Sequence, residues 1–483
     1  MIGAGIGGLA CSVRLVAKGY SVTVFEANEV AGGKLTEIKN GGFRFDAGPS
    51  LFTMPELVDE LFGLFSPNLL SVKYQRLENI CNYFYPDGTC FSASSNPDQF
   101  AKDAARVTGA SENKIKKHLG KSRFIYNATG FLFLEKSLHK FRSYCSFKVF
   151  TSLLKLPFLS VLTTMNSVNK RRLENEKMVQ LFNRYATYNG SNPFKAPGIL
   201  NIIPHLEFSK GAFFPEGGMI EITNSIYQLA TSKGVEFNFN QKVDQIIVEG
   251  GVAKGVVVHG KSYLADQVIC NMDVYHAYTK LMPSQPISSK KLNQERSSSA
   301  LIFYWGVKGS FENLDLHNIF FSGNYAAEFQ AIFEEKKVID DPTIYVNISS
   351  KKSSSDAPEG HENWFVMINV PSNVGQDWDT LIEKARKDII LKLNRMMKID
   401  LESLIVTENM LDPRLIESNT QSYQGSLYGT ASNSRMAAFF RHPNFSKKIK
   451  NLYFCGGSVH PGGGIPLALS SAKIVDSFIR PVN

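Results

Sequence analysis

Apolar residues change their spacing several times along the chain, and each change marks an element. From Leu9 they recur at helical spacing through Val13, Leu15 and Val16, as expected of a helix with buried faces. The next run, Tyr20-Ser21-Val22-Thr23-Val24-Phe25, is rich in β-branched and aromatic residues and ends at Glu26, which predicts a strand. Farther along, Val235, Phe237 and Phe239 alternate with polar residues. Apolar runs at 245–248, 256–258 and 267–270 follow, with a Gly250-Gly251 turn after the first, and together they predict a group of strands. Residues 451–458 predict a short strand entering a glycine turn, and 467–479 a helix. The long stretch from Val274 to about Ala438 is broken by polar, serine-rich loops at 288–299 and 349–362. No segment repeats.

One region breaks the pattern. Phe147, Val149, Phe150, Leu153, Leu154, Leu156, Phe158, Leu159, Val161 and Leu162 are packed among Lys148, Lys155, Lys170, Arg171 and Arg172, and Pro157 interrupts any helix there. Between Lys136 and Arg172 stand eight Lys or Arg and no Asp or Glu, so of the net charge of +9 only +1 (9 − 8) belongs to the rest of the chain. Greasy residues interleaved with cations suit helices lying in a lipid headgroup region. The alternative is a lid buried against a neighbouring domain with its lysines solvated. Nothing resembles a nucleic-acid reading motif, so no nucleic-acid partner is expected.

At 483 residues the chain is too long for one core, and two or three domains are expected. Its 43% apolar and 20% charged residues are those of a globular protein. No apolar run has transmembrane length, and the N-terminus lacks the basic start of a signal peptide. Cys11, Cys81, Cys90, Cys145, Cys270 and Cys455 show no metal or redox spacing, so reduced thiols in a cytoplasmic compartment and no metal are expected.

The chemistry lies in the glycines. Gly3-Ala4-Gly5-Ile6-Gly7-Gly8 precedes the first predicted helix, and Glu26 closes the following strand eighteen residues after Gly8. This is a dinucleotide fingerprint: Gly3 for the tight turn, Gly5 for close approach to a pyrophosphate, Gly8 for helix–strand packing, and Glu26 for a ribose hydroxyl. Only Met1 and Ile2 precede Gly3 where a strand belongs, so a few N-terminal residues are expected to be missing. Gly32-Gly33-Lys34, the strand and turn at 42–50, and the turn at 456–466 supply further backbone for a larger cofactor, favouring FAD over NAD.

With the blocks Gly32-Gly33-Lys34, Asp46-Ala47-Gly48-Pro49, Asn189-Gly190-Ser191-Asn192-Pro193-Phe194, Ile203-Pro204-His205-Leu206-Glu207, Phe214-Pro215-Glu216-Gly217-Gly218-Met219 and Asn271-Met272-Asp273, and with 460–466 in the same order, the chain resembles the bacterial phytoene-desaturase type of carotenoid desaturases. The resemblance implies an α/β fold: an amine-oxidase-like, Rossmann-type FAD domain (1–53, 205–275, 440–483). It also implies a mixed-sheet substrate domain (54–125, 190–204, 276–439) and a helical membrane-contact or lid region (126–189). It implies that FAD is held by Gly3, Gly5, Gly7, Gly8, Glu26, Ala27, Gly33, Lys34, Gly48, Pro49 and Ser50. Val243, Asp273, Gly457, Ser458, Gly464, Ile465 and Pro466 complete that set.

It further implies a carotenoid substrate reached from a membrane surface, quinone or oxygen as electron acceptor, and a peripheral cytoplasmic location. Desaturation next to a polyene needs no nucleophile: an allylic hydride goes to flavin N5 and the neighbouring proton to a weak base. The family's Arg–Asp pair is absent, because Pro157-Phe158-Leu159-Ser160 runs into Val161-Leu162-Thr163. Glu207 and His205 are the candidate bases, and His460 a cofactor-positioning residue. The missing pair favours the 3,4 bond of a γ-carotene or 1-hydroxycarotenoid. Alternatives on the same scaffold are a phytoene desaturase, a carotenoid isomerase or saturase, and a prenyl-lipid chaperone without flavin.

Overall fold

The computed structural model describes residues 1–66, 71–144, 149, 151–152, 155–285 and 292–482. Met1 and Ile2 take the strand position ahead of the first glycine turn. Ile2 bridges in parallel to Phe25 on one side and to Cys270 on the other. Its N–H donates to Ile269 at 2.9 Å, its carbonyl accepts from Asn271 at 2.8 Å, and Gly3 N–H donates to Phe25 at 2.8 Å. Ile2 thereby joins two parallel pairs into one run: Glu236–Asn238, Thr23–Phe25, Ile2, Val268–Cys270 and Leu452–Phe454.

Parallel strands need crossovers, and helices Ile6–Ala17 and Ile220–Ser232 lead into Thr23–Phe25 and Glu236–Asn238. Helix Ile465–Asp476 packs beside the first of these, so the core mixes Leu9, Val13, Val24, Ile222, Ile269 and Leu469 from three distant stretches. All three residues of Val268–Cys270 are buried, which is why this part reads as continuous apolar runs rather than alternation. The C-terminal helix starts two residues before the predicted 467, because Pro466 fits a first helical turn, where its missing N–H costs nothing. The residues at 243–264 form an antiparallel meander, Val243–Glu249, Val252–Val258 and Lys261–Leu264, turning at Gly250-Gly251.

The second sheet has seven strands, ordered Ile405–Leu411, Ser299–Lys308, His361–Val370, Ile344–Ile348, His317–Phe320, Asn79–Phe84 and Cys90–Ser94. Period-two alternation sorts its two faces. Leu301, Phe303, Trp305, Trp364, Val366 and Ile368 pack towards the helix Trp378–Met397. Ile302, Phe365, Met367 and Asn369 face the other way and line a cavity.

Across that cavity lies the helical region. It contains Glu112–Glu135, capped by Ser111, then Met165–Leu173, capped by Thr164, and Glu176–Asn183, capped by Asn175. Phe147, Lys148, Phe150, Leu153 and Leu154, which carry much of the greasy, basic pattern, lie outside the described residues. Of the others, Phe158 and Leu162 are exposed while Leu159 is buried. Among the described residues no helix is long and apolar enough to cross a membrane.

Candidate active site

The first glycines fold around one side chain. A Cβ on Gly5 would stand 2.7 Å from Asn271 Oδ1, and one on Gly7 2.9 Å from Asn271 Nδ2. On Gly456 it would stand 2.5 Å from the same nitrogen. Asn271 thus fills the room that these glycines leave, and its Nδ2 donates to the Cys455 carbonyl at 3.2 Å. Gly8 answers to a different neighbour: its Cβ would be 2.2 Å from the Gly3 carbonyl. No side chain at this position allows the helix to dock on the strand end.

The turn is closed by Glu26, which is 7% exposed. Its Oε2 accepts from Ala4 N–H at 2.6 Å and its Oε1 from Asn28 N–H at 2.9 Å. Each carboxylate oxygen keeps a further lone pair. The helix Ile6–Ala17 has Gly5 at its N-cap, and Ile465–Asp476 has Gly464, and neither has a side-chain cap. Both therefore present unpaired backbone N–H groups to an anion or carbonyl.

Two cations flank the turns, Lys34 half-buried and Arg441 buried. Lys34 Nζ donates to the carbonyls of Ser426 at 2.9 Å and Leu427 at 2.7 Å, and burial lowers its pKa to about 8, against the pull of Asp273. Arg441 donates to Tyr428, Thr430 and Gly457 carbonyls at 3.1, 2.6 and 3.3 Å. Asp273 caps Tyr275 N–H at 2.9 Å and pairs with Arg296 at 3.4 Å, while Ser458 Oγ accepts from Val274 N–H at 3.0 Å.

All of these surround one cavity of about 1060 Å³, larger than most sites for a single small ligand. Every residue expected to hold the cofactor lines it except Gly8, which lies behind the wall. Beyond the glycine end the wall turns apolar, with Leu132, Phe133, Ile199, Leu200, Ile203 and Leu206.

One polar patch interrupts that wall. Arg184 Nη2 donates to Tyr83 Oη at 2.9 Å and its Nη1 to Tyr188 Oη at 3.1 Å. Tyr188 Oη in turn reaches Glu207 at 3.3 and 3.4 Å, and Arg184 lies 3.7 Å from that carboxylate. Burial raises the Glu207 carboxyl above its ordinary 4.5, with Arg184 opposing, and pushes the phenols of Tyr83, Tyr185 and Tyr188 well up. Glu207 sits in a π-helical turn, Leu206–Lys210, whose extra residue re-aims a side chain. A second polar chain runs from Ser50 Oγ to Tyr345 Oη at 2.7 Å and on to His317 Nδ1 at 2.7 Å.

Of the two candidate bases, Glu207 lines the cavity and His205 does not. The His205 ring packs at 4.8 Å on Tyr126, and burial lowers its pKa to about 4. His460 is also off the wall. It is fully buried, its Nε2 meets the Lys136 carbonyl at 2.9 Å, and it ties the end of the long helix to the glycine turn. Sequence reasoning missed Arg184, Tyr188, Tyr345 and Arg441. Only the neighbouring Asn189–Phe194 block signalled anything near Arg184.

The profile described as flavin containing amine oxidoreductase matches residues 6–475. The chain belongs to that family. A 1-hydroxycarotenoid 3,4-desaturase of Flavobacterium sp. (strain P99-3) is 52% identical over 483 residues, spanning 100% of this chain and 99% of the relative. A 4,4'-diapolycopene oxygenase of Methylomonas sp is 32% identical, spanning 98% of this chain and 96% of the relative. The resemblance to carotenoid desaturases therefore holds over the whole length. Among solved structures, putrescine oxidase bound to putrescine superposes with a TM-score of 0.65 at 14% identity, over 99% of this chain and 97% of that one. An oxidoreductase from Methanosarcina mazei gives 0.63 at 16%, over 99% and 98%. At these identities the likeness is one of fold.

The protein is thus a flavin oxidoreductase and its cofactor is FAD. The residues present fit it. The two helix starts lack side-chain caps, Glu26 keeps accepting capacity, and every residue expected to hold the cofactor except Gly8 lines the cavity. This sets aside the chaperone without flavin.

Proposed function

We propose that this protein desaturates a carotenoid at the 3,4 bond, on a 1-hydroxylated acyclic or γ-carotene-type substrate. The observation that carries the reading is the 52% identity, end to end, with the Flavobacterium 1-hydroxycarotenoid 3,4-desaturase. Support comes from the cavity, whose apolar length continues directly from the dinucleotide cradle.

FAD, when bound, supplies the acceptor for a hydride. The apolar wall orients the polyene and keeps water from the allylic carbons, whose developing cation is spread along the conjugated chain. Loss of the adjacent proton completes the double bond, and we assign its acceptance to the Glu207 carboxylate. Arg184 favours the ionised form, while burial makes that form a better base than an exposed carboxylate. His205 is not carried forward in this role, because it does not reach the cavity.

In the same reading the three stretches that build the parallel sheet form the FAD domain, the seven-stranded sheet belongs to the substrate domain, and 126–189 forms the lid. The protein works peripherally on a membrane surface, from which the substrate enters, and quinone or oxygen takes the electrons onward. Supplying phytoene, γ-carotene and a 1-hydroxylated acyclic carotenoid in separate assays tests it through product absorption spectra. Conversion of the conjugated substrates with a longer chromophore is the expected result. Conversion of phytoene alone overturns the 3,4 assignment.

A further inference from the structure

A chamber built for a hydrocarbon has no use for a buried guanidinium, yet Arg184 lies on its wall and is 7% exposed. Desolvating an Arg–Glu pair is expensive and rarely returns net stability against apolar residues of similar volume. The pair is also loose, at 3.7 Å, and Tyr188 reaches Glu207 only at 3.3 Å or more. Capacity is left over just behind the wall: Asn189 Oδ1 and Arg184 Nε are buried and have no hydrogen-bond partner among the described residues. Arg184, Tyr188, Asn189 and Glu207 all line the chamber. Such a group asks for a ligand atom that both donates and accepts.

We infer that Tyr188, Asn189 and Arg184 form a subsite for the tertiary hydroxyl of the carotenoid, and that this subsite sets the choice of substrate end. The hydroxyl accepts from Tyr188 or Arg184, and it donates to Asn189 Oδ1 once that amide turns towards the chamber. The assignment rests on the proposed 3,4-desaturation and deepens it. Carbon 1 is separated from carbon 3 by a single carbon, so an anchor for its hydroxyl must lie close to whatever takes the proton. Tyr188 and Glu207, in contact at 3.3 Å, meet that requirement. A site that holds a hydroxyl rejects the analogue lacking it, because its own polar groups are then left unpaired.

The test compares a 1-hydroxylated acyclic carotenoid with its counterpart lacking the hydroxyl, using flavin-loaded full-length protein. Both binding (the carotenoid absorption shift) and kcat/KM are read. Wild type is expected to favour the hydroxylated carotenoid about 10- to 100-fold in both, the range of one to two hydrogen bonds to a charged cluster. Tyr188→Phe and Asn189→Ala are each expected to bring that ratio towards one, with flavin content serving as the check on folding. A wild-type ratio near one, or an unchanged ratio in both variants, overturns the subsite. Binding selectivity with no desaturation of either carotenoid overturns the proposed function and leaves the hydroxyl contact standing.

Discussion

At the cradle, one side chain, Asn271, occupies the room that several glycines leave, and nearly every functional contact is offered by backbone. At the polar wall of the chamber, three tyrosines and a carboxylate crowd round one guanidinium, and every functional contact is a side chain. The two regions share a cavity but tolerate change differently. A backbone cradle fails when any atom is added. A side-chain cluster fails when a particular atom is removed, and then only in the reaction it serves.

The largest expected effect is at the cradle. Gly8→Ala puts a methyl 2.2 Å from the Gly3 carbonyl, a clash with backbone that cannot swing away. Flavin absorbance per mole of purified protein should fall at least about tenfold, in line with the 1–3 kcal/mol or more of overpacking. Normal flavin content would show that the helix and strand can part without cost. Glu207→Gln should do the reverse, keeping flavin while kcat/KM falls about 10²- to 10⁴-fold, the usual contribution of a positioned base. Because burial raises the Glu207 carboxyl and only the ionised form accepts a proton, wild-type kcat/KM should decline as pH falls through a value above 4.5. That acid limb should vanish in the variant, and its persistence would assign the base elsewhere.

Glu26→Ala lies between the two regions in kind, being a side chain that organises a backbone turn. It leaves Ala4 N–H without its 2.6 Å acceptor and removes a charge-assisted partner for a ribose. FAD affinity should weaken by about 1.5–3 kcal/mol, near 10- to 100-fold by titration of the apoprotein.

The last effect is on stability, and it is spread over buried histidines rather than confined to either region. Burial lowers the pKa of His118, His317 and His460 to about 3, so the folded protein keeps them neutral while the unfolded chain protonates near 6.5. Their contribution is intact above pH 6.5 and is lost as pH falls from there towards 3, by about 1.4 kcal/mol per histidine per pH unit. Thermal melts from pH 7 to 4 should show the fall, and His118→Leu should make it shallower. A Tm flat over that range would contradict it.

Some of the chamber was legible in the residues and some was not. Glu207 and His205 are two positions apart and look equally able to act as a base. The π-helical turn that begins at Leu206 sends Glu207 to the cavity and leaves His205 against Tyr126, and no periodicity announces such a turn. A mixed sheet was expected in the substrate domain, but its strand order was hidden. It pairs Asn79–Phe84 with His317–Phe320 across more than two hundred residues, and pairing at that distance leaves no local signature.

By itself the sequence determined the glycine turn, because its backbone N–H groups, helix starts and one acid are all written in short motifs whose spacing is fixed by a turn, a helix and a strand. Its motifs also resembled those of carotenoid desaturases, which implied an apolar substrate. Only the tertiary structure decided where polarity sits on that wall. Tyr83, Arg184 and Glu207 are far apart along the chain, and hydrogen bonds through Arg184 and Tyr188 bring them together beside that wall. Burial in a low-dielectric space makes an unmatched hydrogen bond there costly.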